Sequence, residues 1–173
     1  MAAGATFEPI ATTTLGSTAT EVSFTSISGS YTDLVLVSFT KASTTDAPGL
    51  LCQVNSDTGS NYSGTFLYGN GSAAGSNRLS SQTQFVLARQ YGLGDSTTNT
   101  ANFITQFQNY SNATTYKTII NRSNTPGGST YAGVESSVGL WRSTSAITSI
   151  RIFVNAGGFA SGSMFTLYGI KSA

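Results

Sequence analysis

The chain carries seven acidic side chains, one thiol and no histidine, and that inventory bounds the chemistry it can perform. Without histidine the commonest general base and the commonest metal ligand are both missing, which excludes Ser-His-Asp and Cys-His catalysis and histidine-based zinc sites. The acids are Glu8, Glu21, Asp33, Asp46, Asp57, Asp95 and Glu135, with no two close in sequence. A glycosidase pair would have to be assembled by folding, and no spacing marks one. Asp57-Thr58-Gly59 matches the tripeptide that carries the catalytic aspartate of aspartic proteases, where two carboxylates share a proton. Its flanks, Val54-Asn55-Ser56 and Ser60-Asn61, are mostly polar turn residues. A turn in which Asp57 bonds its own backbone and Gly59 supplies a positive φ outweighs the protease reading. Asn55, Asp57 and Asn61 offer oxygens to calcium, but such a site needs about six to eight oxygen ligands and usually a second carboxylate. No catalytic residue, cofactor or metal site is therefore expected.

The remaining reactive groups have ordinary explanations. Cys52 lies in the apolar run Leu50-Leu51-Cys52-Gln53-Val54 and reads as a buried structural thiol; a single cysteine permits no intrachain disulfide. Gly69-Asn70-Gly71 is not followed by the helix that a phosphate-binding glycine loop opens onto. The sequons at Asn61, Asn112 and Asn121 reflect composition unless the chain enters a secretory pathway. Tyr62, Tyr68, Tyr91, Tyr110, Tyr116 and Tyr131 neighbour Asn, Gln, Ser or Gly, the company kept by sugar-binding and adaptable protein-binding surfaces, although core or rim packing is the commoner role. Trp141-Arg142 reads either as an indole with a stacked guanidinium or as an interface anchor.

These residues must be positioned by strands. At 173 residues one domain is expected, long enough to bury about two thirds of its unfolded surface. Only 9% of residues are charged, against about 25% in an ordinary soluble domain, so hydroxyls and amides must supply solubility. A net charge of +1, spread singly, gives no electrostatic footprint for nucleic acid or an anionic membrane, and neither partner is expected. Residues 1–5 lack a basic start and a following apolar stretch, so no export signal is expected.

Helix-favouring residues are scarce, and β-branched and aromatic residues dominate the apolar segments. The pattern predicts an all-β fold, an antiparallel β-sandwich of jelly-roll type with about ten short strands. Residues 1–20 read as an N-terminal arm or edge strand, with a strand at 7–10, and residues 21–173 as a single sandwich domain. Strands are expected at 21–27, 33–41, 50–54, 62–68, 84–90, 101–109, 116–122, 131–141, 147–154 and 164–170. Leu34-Val35-Leu36-Val37 is the best candidate for a central strand covered on both faces. The closing strand carries large residues on both faces, Phe165 and Leu167 on one and Thr166, Tyr168 and Ile170 on the other. Residues 69–76 read as an exposed flexible loop, and Pro126-Gly127-Gly128 as a turn.

Three segments together carry a resemblance: Tyr31-Thr32-Asp33-Leu34-Val35-Leu36-Val37, Asp57-Thr58-Gly59-Ser60-Asn61-Tyr62-Ser63, and the closing stretch. The last runs Val138-Gly139-Leu140-Trp141-Arg142-Ser143-Thr144-Ser145-Ala146-Ile147-Thr148 and then Gly162-Ser163-Met164-Phe165-Thr166-Leu167-Tyr168-Gly169-Ile170. The chain resembles small β-sandwich virion proteins and fibre C-terminal domains of tailed bacteriophages, particularly those of cyanobacteria and other aquatic hosts. The resemblance implies a non-enzymatic structural protein at the virion surface, assembled in the host cytoplasm, with no active site to carry over. A capsid decoration or cement protein on the outer head is the first expectation. Its partner would be the major capsid protein or another virion protein, and it would form a homo-oligomer, a trimer being favoured. The alternative is a tail-fibre or tail-tip module that recognises host surface glycan. Candidate partner contacts are Phe7, Pro9 and Ile10 of the apolar arm, Tyr68 and Asn70 around the glycine-rich loop, and Trp141 with Arg142.

Overall fold

Twelve strands form two antiparallel sheets in the computed structural model, which describes residues 6–127 and 130–171. Residues 1–5, read above for an export signal, and Gly128 of the expected turn lie outside the described residues. The strands are β1 (Phe7–Thr14), β2 (Glu21–Phe24), β3 (Asp33–Thr40), β4 (Leu50–Val54), β5 (Tyr62–Gly69), β6 (Ala74–Gln82), β7 (Phe85–Ala88), β8 (Ala101–Gln108), β9 (Lys117–Thr125), β10 (Gly133–Trp141), β11 (Ile150–Val154) and β12 (Met164–Ile170). The large sheet has the order β1-β12-β3-β8-β9-β10-β5-β6, and the small one β2-β11-β4-β7.

The pairing follows a nested pattern. β1 pairs with β12, β2 with β11, β3 with β8 and β4 with β7, as if one long hairpin had been wound into two layers. This is the jelly roll that the sequence predicts. Two hairpins, β5–β6 and β9–β10, are inserted into it. They join each other through β5 and β10 and widen one sheet from four strands to eight.

The core lies between the layers. Leu34 and Leu36 of β3, Phe103 and Phe107 of β8, and Phe165 and Leu167 of β12 meet Val22, Phe24, Cys52, Val54, Ile150 and Ile152 from the small sheet. These inward residues alternate along their strands, as a half-covered sheet requires. Cys52 is fully buried and burial pushes its thiol far up, so the structural-thiol reading holds.

One expectation is decided between its alternatives, and one needs correction. Residues 7–14 take the second of their two readings, an edge strand: β1 runs antiparallel along β12 from Phe7 opposite Ile170 to Thr14 opposite Met164, at one end of the large sheet. The glycine-rich loop is instead a tight hairpin turn into an additional strand, β6. Asn70 Oδ1 accepts the Ser72 and Ala73 amides at 3.0 and 2.8 Å, and Gly71 takes the left-handed φ of 87° that the reversal requires.

Candidate functional site

Side chains alternate across a strand, so the registers decide what each face of the large sheet presents. On β10, Glu135, Ser137 and Gly139 point inward and are buried, while Val134, Val138 and Leu140 point outward. The usual polarity is inverted here, polar in and apolar out. β9 likewise sends Asn121, Ser123 and Thr125 inward, all buried.

The inward polar groups close an edge. β7 is the last strand of the small sheet, and its outer side faces the inserted hairpins rather than another strand. Leu87 O accepts Asn121 Nδ2 and Ser137 Oγ, both at 2.9 Å. Beyond the strand, the Glu135 carboxylate accepts the Arg89 amide at 3.1 and 3.2 Å and the Gln90 amide at 2.6 Å. Thr105 Oγ1 donates to Asn121 Oδ1 at 2.9 Å, and Thr125 Oγ1 to Gly92 O at 2.8 Å. Unpaired strand edges invite pairing with other chains, and side chains here occupy this one. Burial pushes the Glu135 carboxyl above its ordinary range, against the pull of the amides of residues 89–92.

The outward side is the candidate site. Register rows cross all eight strands: one reads Thr12, Thr166, Val37, Ile104, Arg122, Ser136, Leu67, Ser76, and the next Pro9, Tyr168, Val35, Gln106, Ile120, Val138, Thr65, Arg78. A third contains Phe39 and Val134. Leu67 is 60% exposed, Val134 58%, Val138 51% and Phe39 40%, large values for apolar side chains in the middle of a sheet. Arg122 and Arg78 are the only charges in the two rows. Grooves of about 360 and 410 Å³ run along the face, the first bordered by Thr65, Arg78, Val138, Leu140 and Arg142, the second by Leu67, Arg122, Val134 and Ser136. Seven strand spacings of about 4.8 Å by strands of about 27 Å give a face on the order of 900 Å², before twist. A standard protein interface takes about 800 Å² from each partner.

The expected contact residues divide. Phe7, 60% exposed and edge-to-face with Tyr168, Pro9 and Arg142 border this face. Ile10 turns toward the core, and Asn70 caps its hairpin turn. Tyr68 points to the opposite side of β5 from Leu67. Trp141 is a correction: it is buried, stacked on Tyr62 at 6.4 Å, and its indole N–H donates to Asp57 Oδ2 at 2.6 Å. Arg142 lies just past the end of β10, and its Nη2 donates to Ser63 Oγ at 3.2 Å while the indole stacks on Tyr62.

Asp57 holds a structural turn. Its Oδ1 accepts the Gly59 amide at 2.8 Å and its Oδ2 accepts Asn61 Nδ2 at 2.9 Å. Gly59 is not in the left-handed region; Asn55 and Ser56 are, at φ 51° and 54°. Burial raises the Asp57 pKa, and the bonds from Trp141, Asn61 and Gly59 outweigh it, leaving the carboxyl below its ordinary value. Asn55 Oδ1 accepts the Thr148 and Ser149 amides, so the Asn55 and Asp57 side-chain oxygens considered for calcium already hold donors. Among the described residues no three acidic or cysteine side chains cluster as metal ligands. Four further acids hold structural partners: Glu8 with Lys171, Glu21 with Arg151, Asp33 with the Asn109 amide and Asp95 with the Thr130 amide. Asn121, part of a sequon, is buried. Of the tyrosines, Tyr62, Tyr91 and Tyr110 are core residues, while Tyr116 and Tyr131 are exposed.

No protein-family model matches the chain, and no curated protein matches it by sequence. Among solved structures, an exo-inulinase from Aspergillus awamori is similar at 13% identity and a TM-score of 0.38, over 95% of this chain and 29% of the inulinase chain. A protein of unknown function from Shewanella oneidensis MR-1 is similar at 10% identity and a TM-score of 0.27, over 98% of this chain and 77% of that one. At these scores neither likeness carries a fold or an activity across. No helix among the described residues is long and apolar enough to cross a membrane.

Proposed function

We propose that the protein is a non-enzymatic structural subunit of a bacteriophage virion, a capsid decoration protein that lays its eight-stranded face on the outer surface of the head. One observation carries this reading: the inserted hairpins turn Leu67, Val134 and Val138 outward, while Glu135 and Ser137, between the two valines on β10, are buried. A sheet in water gains nothing from that arrangement unless something covers it. The face is broad and nearly uncharged, which suits repeated docking on a protein lattice better than recognition of nucleic acid or an anionic surface. The commitment of most acidic side chains to structural bonds supports a non-catalytic role. The subunit acts as a small homo-oligomer, a trimer, at a symmetry-related site.

Cosedimentation with heads lacking the protein tests the reading. Binding should saturate at a copy number matching the repeated lattice sites, in the hundreds. The double variant Leu67→Glu with Val138→Glu should abolish binding without lowering the melting temperature, because both side chains are already exposed. Saturation at a few copies would move the protein to the tail, and undiminished binding by the variant would remove the face from the interface.

A further inference from the structure

β7, the last strand of the small sheet, meets the inner side of β5 at Tyr62 and leaves its Tyr68 end and β6 without a covering strand. A cleft of about 130 Å³ opens there, lined by Phe66, Tyr68, Asn77, Arg89, Gln90 and Glu135. We propose that this cleft is a saccharide site that takes one neutral pyranose ring of a longer glycan. The inference goes beyond the decoration reading and does not depend on it.

The cleft is built before any ligand arrives. Tyr68 lies across from Gly75, where a Cβ would come within 2.7 Å of its ring, so only glycine lets the ring lie against β6. The ring meets Tyr91 edge-to-face, with centroids 6.4 Å apart, and Tyr91 is itself buried over Gly133. A pinned aromatic ring offers apolar area at little cost in side-chain entropy. Glu135, only 4% exposed, holds the Arg89 and Gln90 amides and so fixes the backbone from which those two side chains project.

The lining chemistry selects the ligand class. An aromatic platform suits the C–H face of a sugar ring. The ring's hydroxyls donate and accept, matching a guanidinium donor and the side-chain amides of Asn77 and Gln90. Arg89 and Glu135 offset each other, which favours a neutral ligand over an ion. The small volume limits the site to a single ring. Because Tyr68 and Leu67 point to opposite sides of β5, a subunit docked through its apolar face would keep the cleft open.

Saturation-transfer NMR with a panel of methyl hexopyranosides and N-acetylhexosamines at millimolar concentration tests this, with a uronic acid as the charged comparison. Wild-type protein should transfer signal to the ring protons of at least one neutral pyranoside. Arg89→Ala and Asn77→Ala, both exposed positions that should leave melting unchanged, should weaken that binding at least about tenfold, as should Tyr68→Ala. Leu67→Glu should leave it intact. No transfer from any neutral pyranoside, a preference for the uronic acid, or equal binding by the three cleft variants would overturn the proposal. Head binding by the cleft variants is expected to be unchanged, so failure here and failure of the decoration reading are separable.

Discussion

Asp57 and Trp141 should be energetically coupled across 84 residues of sequence. Replacing Asp57 by Ala removes three bonds to one carboxylate: from Trp141 Nε1 at 2.6 Å, Asn61 Nδ2 at 2.9 Å and the Gly59 amide at 2.8 Å. The indole is buried, so its N–H is left without an acceptor at a cost of about 1–3 kcal/mol. The two more exposed bonds add less, and the whole substitution should cost about 3 kcal/mol. For a domain of this length that lowers the melting temperature by roughly 6–12 °C. The single tryptophan makes intrinsic fluorescence a local reporter of the same unfolding that circular dichroism follows globally. A double-mutant cycle of Asp57→Ala with Trp141→Phe should give a coupling of about 1 kcal/mol or more. The pH dependence has a fixed sign. The folded-state pKa lies below the ordinary 3.8, so the stabilisation is present above 3.8 and is lost as pH falls through the folded value. The gap between wild type and Asp57→Ala should therefore be constant near neutrality and close in acid. Coupling below about 0.3 kcal/mol, or a gap that widens in acid, would refute this account of the turn.

Two further substitutions probe the interior. Thr40 is fully buried and its hydroxyl has no partner among the described residues, so Thr40→Val should stabilise by about 1 kcal/mol and raise the melting temperature by about 2–4 °C; a lower melting temperature would mean that the hydroxyl is satisfied. Lys117 is also buried, its ammonium donating to Thr115 O at 2.6 Å and Thr144 O at 3.1 Å, and Lys117→Met should cost about 1–3 kcal/mol in urea unfolding at neutral pH. Burial holds its pKa below 10.5, so between the folded value and 10.5 the unfolded chain keeps a proton that the folded one releases, and stability from this residue rises with pH in that window. The gap between wild type and Lys117→Met should widen as pH approaches 10.5, and a narrowing gap would contradict the burial argument.

Much of the architecture was legible because its strands announce themselves. The limits of β4 and β12 coincide with those read from the sequence, since each is a compact run of large residues between polar turns. β6 was not legible. Its nine residues contain a single large apolar side chain, Leu79, and the strand exists through backbone pairing to β5 rather than through burial. β1 extends past residue 10 for a related reason, because its threonines pair with β12 while most of its side chains stay in solvent. Trp141 was misread as a contact because nothing in sequence shows that β10 lies beside Tyr62 and the turn at Asp57. The outward face was hidden by its inversion. Alternation in Val134-Glu135-Ser136-Ser137-Val138 is visible, but convention assigns Val134 and Val138 to the core, and only the registers with β9 and β5 show that they face away.

The inversion follows from inserting hairpins into a jelly roll without widening its second layer. The four-stranded sheet can cover only part of an eight-stranded one, so β9 and β10 meet the open edge of β7 instead of a sheet face. An edge presents hydrogen-bonding groups, and Asn121, Ser137 and Glu135 answer it. Once those strands commit their inward positions to polar residues, their apolar residues have only the outward side, and the stabilisation they offer waits for association. Burying a face on the order of 900 Å² on each partner, rather more than half of it apolar, is worth on the order of 25 kcal/mol gross. Lost translational and rotational freedom takes back roughly 4–15 kcal/mol of that, and polar desolvation and side-chain ordering at the interface take more. Linked copies docking together would share the entropic cost and gain effective concentration. A homo-oligomer of the proposed decoration protein would therefore hold a lattice more tightly than a solitary subunit with the same face.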